Sequence, residues 1–367
     1  GVTSMKDKKR KKTKDSTVLF LFFCCFFIFI GGCEDSQDKP IKENENETEK
    51  NVIPTIEPLP LIEEEEYQFQ SSFGWINDKT ILYSAMKDEQ YYLFSYDVSS
   101  EMKKELFTTN EMISEASVSF NKEYIFVYSS DNTSNANIRI LSTKGEELFV
   151  ESIPSMEISI SWNPFDENTF LVDSFEEDWS FKTYIFHINE NKVEKINVPQ
   201  PFAQWYSKES LMYIDWDAAG LSQMAAPLMK YNIQTGEQEL LFEDVIAFQK
   251  EEGVLLLIRE NKEDTTQVEY DFYKNINTKI NAIQLSVTGS YSEWYALPYD
   301  FISGKQSILT FLQHEPTSDK KNLLVSYNWK TGESTVVMEG LEPAAISCSP
   351  NGKYCLYGYT LENIIKM

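Results

Sequence analysis

Histidine is scarce in this chain, since His187 and His314 are the only two among 367 residues. The first falls in an apolar strand pattern and the second in a polar loop, which disfavours a catalytic triad or a multi-histidine metal site. A His-Glu-x-x-His helix, a Gly-x-Ser-x-Gly elbow, a phosphate loop and a dinucleotide fingerprint are also missing. The sequence therefore predicts no catalytic residue, metal or cofactor, and an enzyme is the less favoured class.

Basic side chains are also few, with 33 Lys and Arg against 58 Asp and Glu. Residues 1–32 hold seven of the basic and two of the acidic residues, so the chain from Cys33 onward has a formal net charge of −30. This charge argues against nucleic acid or anionic lipid as a direct partner. A protein or a small polar or cationic ligand fits it better, although solubility is the simplest reading. The sequence does not indicate an oligomeric state.

Long apolar runs are limited to Val18–Ile30, which has 13 residues and follows a basic segment. A bilayer-spanning helix needs about 20 apolar residues, so this run suits the core of a cleaved signal better than an uncleaved anchor. Gly31, Gly32 and Cys33 then follow, and the whole pattern resembles a bacterial lipoprotein signal. That resemblance implies cleavage between Gly32 and Cys33 and lipidation of the Cys33 thiol with acyl chains such as palmitate. It places the mature protein on the outer, extracytoplasmic face of a cell membrane, in a Gram-positive bacterium.

The segment after Cys33 has little large apolar surface and is rich in Glu, Asn, Lys and Pro. Such a composition cannot bury enough surface to fold, so residues 33–60 are predicted to form a disordered acidic tether. A flexible chain of this length has a reach of roughly 30 Å. The predicted organisation is therefore a removed signal peptide at 1–32, a tether at 33–60 and a folded domain at 61–367.

Only two of the five cysteines, Cys348 and Cys355, fall in the predicted folded domain. They flank a turn at Pro350–Lys353, which places them opposite each other on two strands and permits a disulfide. A one-residue bulge at Gly352 would break that register. Both outcomes stay open at the level of the sequence.

A repeat with a period of 42 to 54 residues organises the folded domain. Helical periodicity with caps is missing, and aromatic residues make up 14% of the chain. The period is that of a four-stranded propeller blade, so we predict an all-β propeller with seven blades, or six if the weak fifth unit merges with its neighbours. Ring closure is predicted to combine the last residues with a strand near Tyr67. The repeat anchors are Trp75, Phe120, Trp162, Trp205, Phe248, Trp294 and Cys348, and their tryptophans are predicted to pack between blades.

Two turns carry a resemblance to known propellers. Ser349–Lys353 reads Ser-Pro-Asn-Gly-Lys and Tyr231–Gly236 reads Tyr-Asn-Ile-Gln-Thr-Gly, which resemble the turns of bacterial TolB-type propellers. Together with the lipoprotein signal, the acidic tether and the order of the units, the chain from residue 16 onward resembles the YqgU-like lipoproteins of Bacillus-type bacteria. This resemblance implies a membrane-anchored propeller and transfers no catalytic residues.

Candidate binding residues lie in the loops between the second and third strands of the predicted blades, which gather at one end of a propeller. In the third and fourth units these loops place a tryptophan beside carboxylates, which suits stacking on a sugar or peptide ring or holding a cation. A solvated acidic loop with its tryptophan folded over its own blade is the plainer interpretation. The candidates are Glu176, Glu177, Asp178, Trp179, Asp215, Trp216 and Asp217, with His314 in the sixth unit.

The sequence thus predicts a binding or scaffolding module at the cell envelope. The alternative is a hydrolase or lyase acting on cell-wall or polysaccharide material. It would use Glu177, Asp178, Asp215 and Asp217, provided that two of these carboxylates lie about 5 to 10 Å apart.

Overall fold

The computed structural model describes residues 53–131, 134–219, 225–264, 266–286, 298–314 and 319–367. The predicted signal, Cys33, most of the predicted tether and the repeat anchor Trp294 lie outside these residues. The described residues form 28 strands, three short 3₁₀ helices and no α-helix. All strands belong to seven four-stranded antiparallel sheets, which are the blades of one ring. No helix among them is long and apolar enough to cross a membrane.

We label the strands of each blade a to d in the order of their pairing. Blade 1 comprises β2 (Gln68–Trp75), β3 (Thr80–Lys87), β4 (Gln90–Asp97) and β5 (Met102–Thr109). Blade 2 comprises β6 (Met112–Val118), β7 (Tyr124–Ser130), β8 (Asn135–Ser142) and β9 (Glu147–Pro154). Blade 3 comprises β10 (Glu157–Trp162), β11 (Thr169–Phe175), β12 (Phe181–His187) and β13 (Lys192–Ile196). Blade 4 comprises β14 (Gln204–Ser207), β15 (Ser210–Ile214), β16 (Ala226–Asn232) and β17 (Gln238–Val245).

The remaining blades follow the same order until the last. Blade 5 comprises β18 (Ala247–Glu251), β19 (Val254–Glu260), β20 (Gln267–Asn275) and β21 (Thr278–Ser286). Blade 6 comprises β22 (Tyr299–Ile302), β23 (Ser307–Leu312), β24 (Leu323–Asn328) and β25 (Ser334–Glu339). Blade 7 comprises β26 (Ile346–Cys348), β27 (Tyr354–Tyr357), β28 (Asn363–Lys366) and, as strand d, β1 (Thr55–Pro58). The 3₁₀ helices are Pro60–Glu63, Trp216–Ala218 and Ser303–Lys305.

The polar turns between strands explain why the repeat is so regular. In the turn after β16, the Asn232 side-chain oxygen accepts the amides of Gln234 and Thr235, both at 2.9 Å. Gly236 then adopts φ +73°, which a residue with a side chain rarely does. The turn after β24 repeats these features around Asn328, so turn chemistry that is visible in the sequence fixes the c–d hairpins.

Strand a lies at the centre of the ring, where first strands of neighbouring blades contact one another. The tryptophans at the ends of these strands join adjacent blades, as the repeat predicts. Trp75 donates its indole N–H to the Ser347 carbonyl of blade 7 (2.9 Å). Two further tryptophans make the equivalent bond to the preceding blade: Trp162 to the Ser117 hydroxyl (3.0 Å) and Trp205 to the Ser161 carbonyl (3.2 Å).

Apolar side chains fill the spaces between adjacent sheets. Between blades 2 and 3, for example, Phe126 and Phe170 are fully buried and lie edge to face with ring centroids 5.8 Å apart. Each sheet is therefore covered by its neighbours on both faces, and strand b is the most completely buried strand in several blades. Such packing leaves the loops at the two ends of the ring as the surfaces free to vary.

Ring closure differs from the prediction. Thr55–Pro58, rather than a segment near Tyr67, pairs with β28 as the outer strand of blade 7. The folded domain thus begins ahead of the predicted boundary at Leu61, and Leu59 and Leu61 are already buried in the core. The sequence concealed this strand because all four of its residues are exposed, so backbone pairing holds it and no apolar alternation marks it.

Blade 7 also contains a disulfide. Cys348 in β26 and Cys355 in β27 are direct partners in the strand register, and their sulfur atoms are bonded. The turn between them keeps its register because Gly352 adopts φ +65° inside the turn instead of forming a bulge in the ladder. The bond therefore joins the two central strands of the blade at which the ring closes.

Candidate functional site

The two ends of the ring carry different connections. One end, which we call the b–c face, bears the loops between strands b and c together with the links to the next blade. The other end, the a–b face, bears the turns between strands a and b. All predicted binding loops lie on the b–c face, because they follow β11, β15 and β23, the b strands of blades 3, 4 and 6.

Three aromatic side chains cluster on the b–c face of blade 3, and we call them the aromatic platform: Phe175, Trp179 and Phe202. Phe175 ends β11 and is buried, whereas Trp179 is 71% exposed and Phe202 is 58% exposed. The Phe175 and Phe202 rings stack with centroids 5.2 Å apart, and the Trp179 indole meets Phe175 edge to face at 6.2 Å. Trp179 therefore rests partly on its own blade but keeps most of its surface open to solvent.

The two exposed rings are held on backbone of unusual conformation. Trp179 has φ +64° and Phe202 has φ +62°, a left-handed region that bulky residues rarely enter. Such a conformation costs of order 1–3 kcal/mol and persists only where the surroundings impose it. Here the Trp179 amide donates to the Glu176 carbonyl (3.0 Å), and the Phe202 amide donates to the Asp173 carboxylate (2.7 Å). Both rings thus have a fixed position before any ligand arrives.

Asp173 is the buried support of this arrangement. It lies in the middle of β11, and its other carboxylate oxygen accepts the Thr183 hydroxyl at 2.6 Å. Burial raises the pKa of Asp173, while the hydrogen bonds from Thr183 and Phe202 oppose that rise by stabilising the charged form. A buried carboxylate that accepts a loop amide ties the link between blades 3 and 4 to the rigid core of blade 3.

Acidic residues border the platform and line a cavity of about 470 Å³ between blades 2 and 3. Glu176 forms an ion pair with Lys182. The Asp178 carboxylate accepts the Ser180 amide at 2.9 Å, and its hydrogen bonds with Ser180 lower the pKa of Asp178. The cavity is lined by Ser134, Pro154, Ser155, Met156, Phe175, Glu176, Glu177 and Asp178. We refer to Glu176, Glu177 and Asp178 as the acidic rim.

The other predicted residues lie elsewhere on the same face. Asp215, Trp216 and Asp217 occupy the 3₁₀ helix of blade 4 and the residue before it, and Trp216 is 41% exposed. None of the three is among the residues that line the cavity beside the acidic rim. His314 is half-buried on blade 6, where its amide donates to the Asn322 side chain at 3.0 Å. The structure therefore does not gather all the predicted residues into one site.

Sequence reasoning missed two parts of the platform. Phe202 stands alone in a link rich in Pro and Gln, without any acidic neighbour of the kind that marked the other loops. Asp173 lies within an otherwise apolar strand, where a carboxylate was the available signal, since a buried acid needs a partner. No group of three or more His, Cys, Asp or Glu side chains suited to a metal ion occurs in the described part of the chain.

Comparison with known proteins gives a family for this fold. Residues 97–358 match the model of the YqgU-like 6-bladed beta propeller domain. The matched region contains blades 2 to 6 complete, strand β5 of blade 1 and strands β26 and β27 of blade 7. The family description counts six blades, whereas the described residues of this chain form seven four-stranded sheets.

Individual relatives agree with this match. The chain is 25% identical over 351 residues, 95% of its length and 94% of the relative's, to the uncharacterized lipoprotein YqgU of Bacillus subtilis (strain 168). A crystal structure of an uncharacterized protein from Listeria monocytogenes EGD-e superposes with a TM-score of 0.71 at 21% identity, over 81% of this chain and 90% of that one. An oligogalacturonate lyase from Vibrio parahaemolyticus shares the fold alone, with a TM-score of 0.56 at 10% identity over 86% and 97% of the two chains. The chain belongs to the YqgU-like β-propeller family.

Proposed function

We propose that this protein is a lipid-anchored, extracytoplasmic propeller that binds a basic segment of another envelope protein on its b–c face. The observation that carries the proposal is the aromatic platform, in which two largely exposed rings are fixed on strained backbone by a buried carboxylate. Strain of this kind is retained where it serves recognition or catalysis. Rigid aromatic anchors are also the side chains that contribute most to binding at interfaces.

The charge around the platform supports a basic partner. Glu176, Glu177 and Asp178 lie next to Trp179 in sequence and line the adjoining cavity, and only Glu176 has a basic ion-pair partner among the described residues. A Lys or Arg side chain placed there would meet both carboxylates and an indole face, which combines charge attraction with a cation–π contact. The net charge of −30 from Cys33 onward would attract a basic partner over longer distances.

Binding is also better supported than hydrolysis. Hydrolysis by paired carboxylates needs two groups that face one substrate, yet the cavity beside Glu177 and Asp178 is not lined by Asp215 or Asp217. The likeness to an oligogalacturonate lyase concerns the fold alone and offers no residues for catalysis. Turnover of a glycan by the purified chain would nevertheless replace the binding proposal.

A peptide-display selection tests the binding proposal. The detergent-solubilised full chain would be immobilised and used to select from a random library of ten-residue peptides. We expect the enriched peptides to carry several Lys or Arg residues and to bind less tightly to the variant Glu177→Gln/Asp178→Asn. Enrichment of neutral or acidic peptides, or no enrichment at all, would contradict the proposal.

The anchor is proposed from the sequence pattern before Cys33 and from the similarity to a lipoprotein. We expect Cys33→Ala to abolish incorporation of labelled palmitate and to move the protein from the membrane fraction into the medium when it is produced in Bacillus subtilis. Cys25→Ala is the matched control, because that cysteine lies in the predicted signal core and should be removed with it. Membrane retention of the Cys33→Ala protein would show that another element anchors the chain.

A further inference from the structure

A strained lysine marks the opposite end of the ring. The a–b turns of blades 2 and 7, Ser119–Tyr124 and Ser349–Tyr354, are built alike. In both turns the serine hydroxyl donates to the asparagine side-chain oxygen (2.6 and 2.9 Å), which also accepts the amide two residues later (3.1 and 3.0 Å). The residue after the asparagine has a left-handed φ in both turns, +65° at Gly352 and +62° at Lys122. Lysine thus occupies a position that glycine fills without strain.

Lys122 faces a cavity of about 840 Å³ at the a–b face, a volume within the range of small-molecule sites. The cavity is lined by the ends of a strands and by the a–b turns of six of the seven blades, so it lies at the mouth of the central channel. Phe120 and Phe165 contribute apolar wall, and Lys250, Glu251 and Asp300 contribute charge. The site is separate from the aromatic platform, because the two lie on opposite faces of the ring.

The charged groups in this cavity are only partly neutralised. No hydrogen bond or ion pair joins the Lys122 ammonium to any residue that the structure describes. Burial lowers the pKa of Lys122, and the nearby charges of Glu251 and Asp300 oppose that change. Burial raises the pKa of Asp300 to about 7, although its carboxylate accepts the Cys348 amide at 2.6 Å. Charges of both signs are therefore held away from water without pairing to each other.

We propose that the cavity at the mouth of the channel binds a short peptide with free termini, its carboxylate at Lys122 and its ammonium at Glu251 and Asp300. Such a zwitterion supplies both missing partners at once, while the phenylalanine walls accommodate apolar side chains. A ligand of a single charge would leave either the ammonium or the carboxylates without a partner. A purely structural role for Lys122 does not explain the left-handed backbone, since glycine at the equivalent position of blade 7 forms the same turn.

Titration calorimetry on the detergent-solubilised full chain tests this proposal. The probe is a panel of unmodified tripeptides containing Ala, Leu and Phe, beside the same peptides acetylated at the amino end and amidated at the carboxyl end. We expect saturable binding of unmodified peptides, and at least a tenfold loss of affinity for the blocked peptides and in the variant Lys122→Gly. That variant should fold well, because glycine relieves the strained backbone.

Glu101→Gly is the matched control. Glu101 also has a left-handed φ, +58°, but it lies in the c–d turn of blade 1 and does not line the cavity. It should gain stability in the same way as Lys122→Gly and keep the affinity of the unaltered chain. Failure of every unmodified peptide to bind, or equal affinity in Lys122→Gly, would overturn the proposal.

Discussion

Replacing Trp179 and Phe202 together by alanine should weaken binding of the selected basic peptides at least about 100-fold. Each exposed ring offers a rigid contact surface, and aromatic anchors at interfaces typically contribute about 2 kcal/mol or more when truncated. The fold should tolerate the change, because both side chains are mostly exposed and alanine removes no buried contact on which the ring depends. Calorimetric titration of the peptides, with a melting curve for each variant, measures both effects.

Tyr359→Ala provides the control for this loss. Tyr359 is 95% exposed and lies in the b–c loop of blade 7, so it is an aromatic residue on the same face but outside the platform. Its removal should leave the affinity unchanged. Affinities within about threefold of the unaltered chain for the double variant would show that the platform is not the contact surface, and a loss with Tyr359→Ala would point to a different part of the face.

Protonation of Asp300 should make the stability of the domain depend on pH. Burial raises the pKa of Asp300 from 3.8 to about 7 in the folded state. The folded state thus binds the proton more tightly than the unfolded chain, and stability is highest below pH 3.8 and falls as the pH rises towards about 7. The shift corresponds to at most about 4 kcal/mol over that range. Urea unfolding at several pH values should show this decline in the unaltered chain.

Asp300→Asn isolates this contribution, since the amide stays neutral at every pH. We expect the variant to lose less stability than the unaltered chain between pH 4 and pH 7, whatever its absolute stability. Glu251, whose pKa is also raised by burial, faces the same cavity and should leave a smaller dependence in the variant. Parallel pH profiles for the two proteins would contradict a buried, titrating Asp300.

The sequence predicted the fold well because its signals repeat. Each blade restates the same pattern of aromatic strand ends and Asn or Gly turns, so single ambiguous strands matter little. The closing strand β1 was missed because Thr55–Pro58 has no buried residue and pairs with β28 across almost the whole chain. An exposed strand held by backbone hydrogen bonds leaves no periodic trace in the sequence.

The sites were only partly predictable. Glu176 to Trp179 stood out because a tryptophan among carboxylates is unusual in a turn. Phe202 was missed, since its contact with Phe175 joins two blades and depends on their packing. Lys122 looks like an ordinary polar turn residue until its left-handed φ and its position in the cavity are known. Local composition identified one acidic loop, whereas convergence between blades required coordinates.

Site-specific photocrosslinking in cells tests the central claim most directly. The membrane-anchored chain would carry the photoreactive residue p-benzoylphenylalanine in place of Trp179, Phe202 or Tyr359, one position at a time. The account predicts that the first two positions yield the same protein adduct, joined through a basic segment, and that Tyr359 does not yield it. No adduct from Trp179 and Phe202, or an equal yield of the same adduct from Tyr359, would contradict a binding surface at the aromatic platform.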